Sequence, residues 1–187
     1  MLKLFKTIQR AGDVTVKYPF KPMEVSPGFR GRPEYHAQQC IACGACTVAC
    51  PANALTMETD VAAGSRSWQL FLGRCIFCGR CEEVCPTRAI HLSEDFEMAV
   101  TQKADLFNRA TFTLLSCRLC HQPFTTDKSV EYAMALLTQS GMDPASVEEM
   151  RPQFETCPAC KRRQSLDNHG STNLNYHVGE KNALAGN

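Results

Sequence analysis

Eight of the twelve cysteines in this 187-residue chain fall into one pattern written twice. Cys40, Cys43, Cys46 and Cys50, followed by Pro51, and Cys75, Cys78, Cys81 and Cys85, followed by Pro86, both read Cys-x-x-Cys-Gly-x-Cys-x-x-x-Cys-Pro, at an offset of 35 residues. Three thiolates spaced by two residues can wrap three corners of an iron–sulfur cube on one tight loop. The fourth, on the helix that follows, points towards the neighbouring cube. The expected ligand sets are therefore crossed: Cys40, Cys43, Cys46 and Cys85 for one [4Fe-4S] cluster, and Cys75, Cys78, Cys81 and Cys50 for the other. Gly44 and Gly79 suit loops that must turn sharply around a cluster. The chemistry implied is one-electron transfer. Zinc is the weaker alternative, because its knuckles need neither the third Cys nor the Cys-Pro ending. Disulfides would need an oxidising compartment.

The other four cysteines form two Cys-x-x-Cys pairs, Cys117 with Cys120 and Cys157 with Cys160. Two such knuckles on either side of a helical hairpin make a tetrathiolate site, whose S4 tetrahedron suits zinc or a single iron. Zinc is favoured over mononuclear iron, with a third cluster or disulfides as further alternatives, and His121 is read as a neighbour rather than a ligand. All eight repeat cysteines are needed as ligands, and no Gly-rich nucleotide loop or open metal site is apparent. The chain is therefore expected to carry electrons without an active site of its own.

The elements that must position these residues are short. A content of 44% hydrophobic residues, with twelve Cys and ten Pro, points to small lobes assembled around metals. The net charge of +1 argues against nucleic acid as a partner, and no apolar run of roughly 18 residues is present to span a bilayer. Twelve cysteines without a visible export signal indicate a reducing cytoplasm.

Residues 1–36 carry seven Lys or Arg against three acidic residues, a net of +4. Within them Met1, Leu2, Leu4, Phe5, Ile8 and Ala11 share one side of a helix, with Lys3, Lys6, Thr7 and Arg10 opposite. This amphipathic segment is expected to lie on a membrane surface or partner subunit, or else on its own domain. Residues 17–36, rich in Pro and Gly, read as an extended arm.

Each copy of the repeat should run from loop to short helix to strand, at residues 54–58 and 89–93. Residues 60–65 read as a hairpin turn leading to a strand at 68–72. Beyond residue 94 a separate unit is expected, with a strand at 112–115, a helix at 127–140 stopped by Gly141, and a second helix opened by Asp143 and Pro144. The expected division is thus 1–36, helix and arm; 37–94, two-cluster domain; 95–163, four-Cys module; and 164–187, polar tail.

Arg74-Cys-Ile-Phe-Cys-Gly-Arg-Cys-Glu-Glu-Val-Cys-Pro-Thr-Arg-Ala-Ile90, with Pro27-Gly-Phe-Arg-Gly-Arg32 upstream, resembles the ferredoxin-like subunit of respiratory complex I. The four-Cys module departs from that subunit. Together with Met1-Leu-Lys-Leu-Phe-Lys-Thr-Ile8 and Lys17-Tyr-Pro-Phe20, it resembles the corresponding subunits of formate hydrogenlyase complexes, in particular the hydrogenase-4 (component H) type.

The resemblance covers roughly residues 1–163. It implies an α+β fold: a two-[4Fe-4S] bacterial ferredoxin-like core, an N-terminal amphipathic helix and arm, and a C-terminal zinc-ribbon or rubredoxin-like module. It also implies a peripheral subunit on the cytoplasmic side of the inner membrane, in a membrane-bound [NiFe] hydrogenase. The partners would be the hydrogenase small and large subunits, a formate dehydrogenase-side iron–sulfur subunit and membrane-arm subunits. The alternatives are a free diffusing ferredoxin, a complex I-type quinone-linked subunit, and a docking protein with structural clusters. Arg74, Arg80 and Arg88 crowd the second motif, so the Cys75-containing cluster is expected to be the better electron acceptor unless those side chains face solvent or a subunit interface.

Overall fold

The 35-residue repeat is written into the backbone. In the computed structural model, which describes residues 2–12 and 15–169, Ala42 and Phe77 lie at φ 55° and 53°, Gly44 and Gly79 at 79° and 80°, and Asn53 and Arg88 at 49° and 53°. Left-handed angles at non-glycine residues cost roughly 1–2 kcal/mol each. They persist where surrounding structure imposes them, as at binding loops.

In chain order the regular elements are α1 (Leu2–Ala11), β1 (Pro33–Tyr35), α2 (Ala45–Ala49), β2 (Leu55–Asp60), β3 (Ser65–Phe71), α3 (Arg80–Val84), β4 (Ile90–Leu92), β5 (Phe107–Thr113), β6 (Leu115–Ser116), β7 (Pro123–Thr125), α4 (Asp127–Gln139), α5 (Pro144–Glu149), α6 (Arg151–Phe154) and α7 (Pro158–His169). The two cysteine loops feed α2 and α3, each entered through its left-handed glycine. These two helices pack on each other.

The hairpin of β2 and β3 pairs Leu55 with Leu70 and Asp60 with Ser65. Its turn is closed by Asp60 Oδ1 accepting from the Ala63 amide at 2.9 Å, with Gly64 at φ 60°. Between the hairpin and the cysteine loops lie Ala54, Leu55, Trp68, Leu70, Leu72 and Ile90, all buried together with Cys81. The core is continuous with the sulfur ligands.

Several strands differ from the sequence expectation: β3 starts at Ser65 rather than 68, and β6 and β7 form a pair that the sequence reading lacked. β1 ends the Pro-rich arm and pairs antiparallel with β4, Glu34 opposite His91 and Tyr35 opposite Ile90. β5 begins five residues earlier than the expected 112 and pairs along its whole length with β3, Phe71 opposite Phe107 and Ser65 opposite Thr113. It is the third strand of the hairpin's sheet, so the segment just beyond residue 94 completes the cluster-bearing half of the fold. Its alternating residues Asn108, Ala110 and Phe112 turn inwards, and Phe107 stacks on Phe71 at 4.4 Å.

The four-Cys unit begins at β6. Thr126 caps α4, its hydroxyl accepting from the Ser129 amide at 3.3 Å, and Gly141 follows the helix at φ 97°. Asp143 caps α5 through the amides of Ala145 and Ser146, with Pro144 in the first turn. Val130, Met134 and Val147 form the small core between these helices. α7 continues to His169, into the segment read as a tail; residues 170–187 lie outside the described residues.

The arm folds back on its own chain. The Gly31 and Arg32 amides donate to Ser93 and Asp95 carbonyls at 2.8 and 2.6 Å, and Tyr18 and Phe29 meet Phe96. Helix α1, by contrast, leaves Leu4, Phe5 and Ile8 more than half exposed. No described helix is long and apolar enough to cross a membrane.

A Cβ on Gly31 would sit 2.2 Å from the Asp95 carbonyl oxygen, a rigid backbone atom. Gly31→Ala is therefore expected to open the arm from residues 93–95 and cost roughly 1–3 kcal/mol. The checks are anaerobic denaturation of the loaded protein and faster proteolysis within residues 24–34.

Candidate metal centres

The cysteines gather into three groups. In the first, the Cys46 thiol is pushed up by burial and by the charges of Cys40, Cys43 and Cys85, against a hydrogen bond from Trp68 that pulls it down. The second group lines an enclosed cavity in which Cys50 meets Cys75, Cys78 and Cys81, walled by Leu55, Leu70 and Leu92. Burial and the neighbouring Cys50 and Cys78 raise Cys75. Cys81 is raised to about 12, chiefly by burial, then by Cys75 and Cys46. Cys46 and Cys81 thus bring the two groups together. Cys85 lies close enough to Cys46 to act on its thiol, and Cys50 lines the same cavity as Cys75, Cys78 and Cys81.

Backbone amides are wound towards these sulfurs in the same way in both copies. The Ala42 and Phe77 amides donate to Cys40 and Cys75 at 3.4 and 3.5 Å, and the Ala54 and Ala89 amides to Cys50 and Cys85 at 3.3 and 3.2 Å. The positive φ at Ala42 and Phe77 is what turns those amides inwards. Burial acts to raise Cys85, but bonds from Thr87 and the Ile90, Thr87 and Ala89 amides outweigh it and set the thiol below its ordinary value. The Trp68 indole N–H donates to Cys46 at 3.4 Å. Tyr35 stacks on Trp68 at 3.8 Å.

The Tyr35 hydroxyl is buried without a hydrogen-bond partner, and burial and the adjacent Cys40 push its pKa up. A cluster-bound sulfur at Cys40 would accept a hydrogen bond from that hydroxyl, which keeps its proton. These donor sets fit [4Fe-4S] clusters, since hydrogen bonds to sulfur are what such clusters draw from a protein.

Cys117, Cys120, Cys157 and Cys160 bring their sulfurs within 4.8 Å of one another, and Cys120 and Cys157 are 3.7 Å apart. Sulfurs about 2.3 Å from a central ion define a tetrahedron with edges of about 3.8 Å, so the group fits a tetrathiolate metal. The Cys157 amide donates to Cys117 at 3.2 Å. Led by that bond, backbone donors lower Cys117 to about 6, while bonds to Cys157 and burial raise Cys160 to about 12. Four thiols so placed share protons that a cation would replace. His121 is exposed and outside this group.

Several residues that the motifs do not mark reach the loops. Arg66 donates to the Ala42 carbonyl, Lys128 to those of Ala37 and Gln38, and Arg30 to that of Cys78. Glu34, His36 and His91 also converge within 4.8 Å, through the pairing of β1 with β4. No local pattern announces these long-range contacts.

A family profile described as a 4Fe-4S dicluster domain matches residues 39–89. The class is that of ferredoxin-like iron–sulfur proteins. Formate hydrogenlyase subunit 6 of Escherichia coli (strain K12) is 48% identical over 180 residues, which is 96% of this chain and 99% of that one. NAD(P)H-quinone oxidoreductase subunit I of Prochlorococcus marinus (strain MIT 9303) is 33% identical over 159 residues, covering 80% of this chain and 70% of that one. Among solved structures, a chain of the membrane-bound sulfane sulfur reductase, an archaeal respiratory membrane complex, matches at 31% identity over 55% of this chain and 56% of that one, with a TM-score of 0.41. This chain belongs to the formate hydrogenlyase subunit 6 family.

Cys117→Ser removes one of the four converging sulfurs of the unit built from β6 onwards. The expected result is loss of about one metal ion per chain and faster proteolysis across residues 115–160, with both cubic-cluster signals retained in what assembles. Elemental analysis and electron paramagnetic resonance check the two halves of this outcome.

Proposed function

We propose that this chain is the electron-transfer subunit of a membrane-bound [NiFe] hydrogenase of the formate hydrogenlyase type. The observation that carries the reading is the near full-length match to formate hydrogenlyase subunit 6, joined to two adjacent groups of four cysteines wrapped by sulfur-directed amides. Cys40, Cys43, Cys46 and Cys85 would hold one [4Fe-4S] cluster, and Cys75, Cys78, Cys81 and Cys50 the other. Such clusters supply storage and release of single electrons when bound.

The chain's own part is to exclude water, through Leu55, Trp68 and Leu70, and to aim N–H groups at the sulfurs. It would work without an active site of its own, between a formate dehydrogenase-side iron–sulfur subunit and the hydrogenase small and large subunits. Its place would be peripheral, on the cytoplasmic face of the inner membrane. The division into helix and arm, two-cluster domain, four-Cys module and tail is retained here, with β5 built into the sheet of the two-cluster domain. The four-Cys module would hold a zinc ion or a single iron with a folding role, in a zinc-ribbon or rubredoxin-like manner.

A complex I-type quinone-linked subunit is the second reading, favoured by the 33% identity to NAD(P)H-quinone oxidoreductase subunit I. The lower identity and coverage rank it behind the first.

Anaerobically purified protein is expected to contain about eight iron and eight acid-labile sulfide per chain from the two clusters, with reduced-state signals that interact magnetically. Metal and sulfide assays check this, and zinc alone without sulfide would refute it.

Membrane attachment is expected to rest on α1, whose apolar residues Leu4, Phe5 and Ile8 stand exposed and whose ten-residue length is marginal in isolation. Deleting residues 2–12 should leave iron and sulfide unchanged, shift the protein from the membrane fraction to the soluble one and abolish formate-linked hydrogen production. Retention on membranes with full hydrogen output would refute this role for α1.

A further inference from the structure

The cations that sequence places around the second loop are not the ones that the fold brings to a cluster. Arg74, Arg80 and Arg88 are all exposed, and Arg80 is paired with Glu83 at 2.5 Å. Arg66, on β3, is partly buried. Its guanidinium donates to the Ala42 carbonyl at 3.1 Å, the Phe124 carbonyl at 3.2 Å and the Thr59 hydroxyl at 3.1 Å. All three acceptors are neutral oxygens, so these contacts hold the charge in place without cancelling it.

The start of α4 grips the same segment. The Thr126 and Ser129 hydroxyls donate to the Ile41 carbonyl at 2.9 and 2.7 Å, and Lys128 Nζ donates to Ala37 and Gln38. Trp68 adds an N–H to Cys46. Among the described residues the second loop receives one such cation, Arg30 on the Cys78 carbonyl at 3.0 Å; Arg30 is exposed, as Lys128 is, so Arg66 alone of the three is partly buried.

From this asymmetry, and resting on the two-cluster reading above, we propose that Arg66 is a positioning residue that sets the cluster of Cys40, Cys43, Cys46 and Cys85 at a higher reduction potential than its neighbour. Reduction adds one negative charge to a cluster, and potential rises with nearby positive charge and with hydrogen bonds to sulfur. A cation fixed by the protein and partly shielded from solvent keeps more of its effect than an exposed one. An electron arriving from a neighbouring iron–sulfur carrier therefore settles on this first cluster, the reverse of the order that the arginines of the second motif imply. Because one arm of Arg66 is anchored on Phe124, beside the Cys117 site, the four-Cys unit holds the tuning cation in register.

The test is an anaerobic redox titration of the intact complex, followed by electron paramagnetic resonance. Arg66→Met is expected to keep about eight iron and eight sulfide from the two clusters and both signals. The higher-potential cluster should lose about tenfold in electron affinity, about 59 mV for one electron. Arg66→Lys keeps the charge but loses the fork and should give a smaller shift. Trp68→Phe removes the N–H to Cys46 and should lower the same cluster, which identifies it as the first.

Unchanged potentials in Arg66→Met, or a shift confined to the cluster that Trp68→Phe leaves alone, would overturn the proposal while leaving the two-cluster reading intact. Absence of sulfide in the wild-type complex would instead overturn that reading and this proposal with it. If Arg66→Met does not assemble, Arg66→Lys decides: a drop in the cluster that Trp68→Phe lowers supports the proposal, and no change refutes it.

Discussion

Twelve sulfurs drawn into three groups repel one another as thiolates, and burial makes each charge costlier still. The clearest signs are Cys81 and Cys160, both driven to about 12. Thiols in that conflict stay protonated, and a cation at the centre of each group would replace those protons and let the short elements around it close. Helices α2 and α3 have five residues each, and β1 and β4 three. Elements this short have little stability alone. The buried cluster of Trp68, Leu70 and Ile90 is small and shares its boundary with Cys81, so metal ligation and apolar packing form a single cooperative unit.

Within that unit the repeat supplies equivalence and the unrepeated parts remove it. The loops match in φ, in amide-to-sulfur bonds and in the geometry of Cys50 and Cys85. What surrounds them does not match. The first loop meets Tyr35, Trp68, Arg66 and the start of α4; the second faces Pro33, Leu55, Leu70 and Leu92. A duplicated motif can thus yield two centres with different electronic surroundings, because potential is governed by what lies beyond the ligands.

How far the sequence could be read follows the range of the interactions involved. The cysteine loops, the hairpin turn at Asp60, the stop at Gly141 and the cap at Asp143 are local, each set by a few adjacent residues, and all are visible in the chain. β1 was hidden because Pro33 and the glycines before it imply irregular backbone. Its strand character comes only from pairing with residues 90–92. β5 was placed late because Asn108 and Arg109 blur its alternation, and its start is fixed by Phe107 stacking on Phe71 from another strand. The sites of influence at Arg30, Arg66 and Lys128 were missed for the same reason. Their partners lie 48, 24 and 91 or 90 residues away, whereas Arg74, Arg80 and Arg88 drew notice only by adjacency.

The exposed side chains bear on whether such a protein works alone. Val48 is 90% exposed and Ile76 61%, so apolar groups front both cysteine loops, and Cys43 is open to solvent beside the first. A freely diffusing carrier would keep these surfaces, and the apolar stripe of α1, in contact with water for most of its life. Burying them against a fixed neighbour instead removes water from the edge of the clusters, which strengthens the field of Arg66 on the first one. The same contacts that would hold the subunit in a complex would then also sharpen the difference between its two redox centres, so that assembly and electron placement become one physical problem.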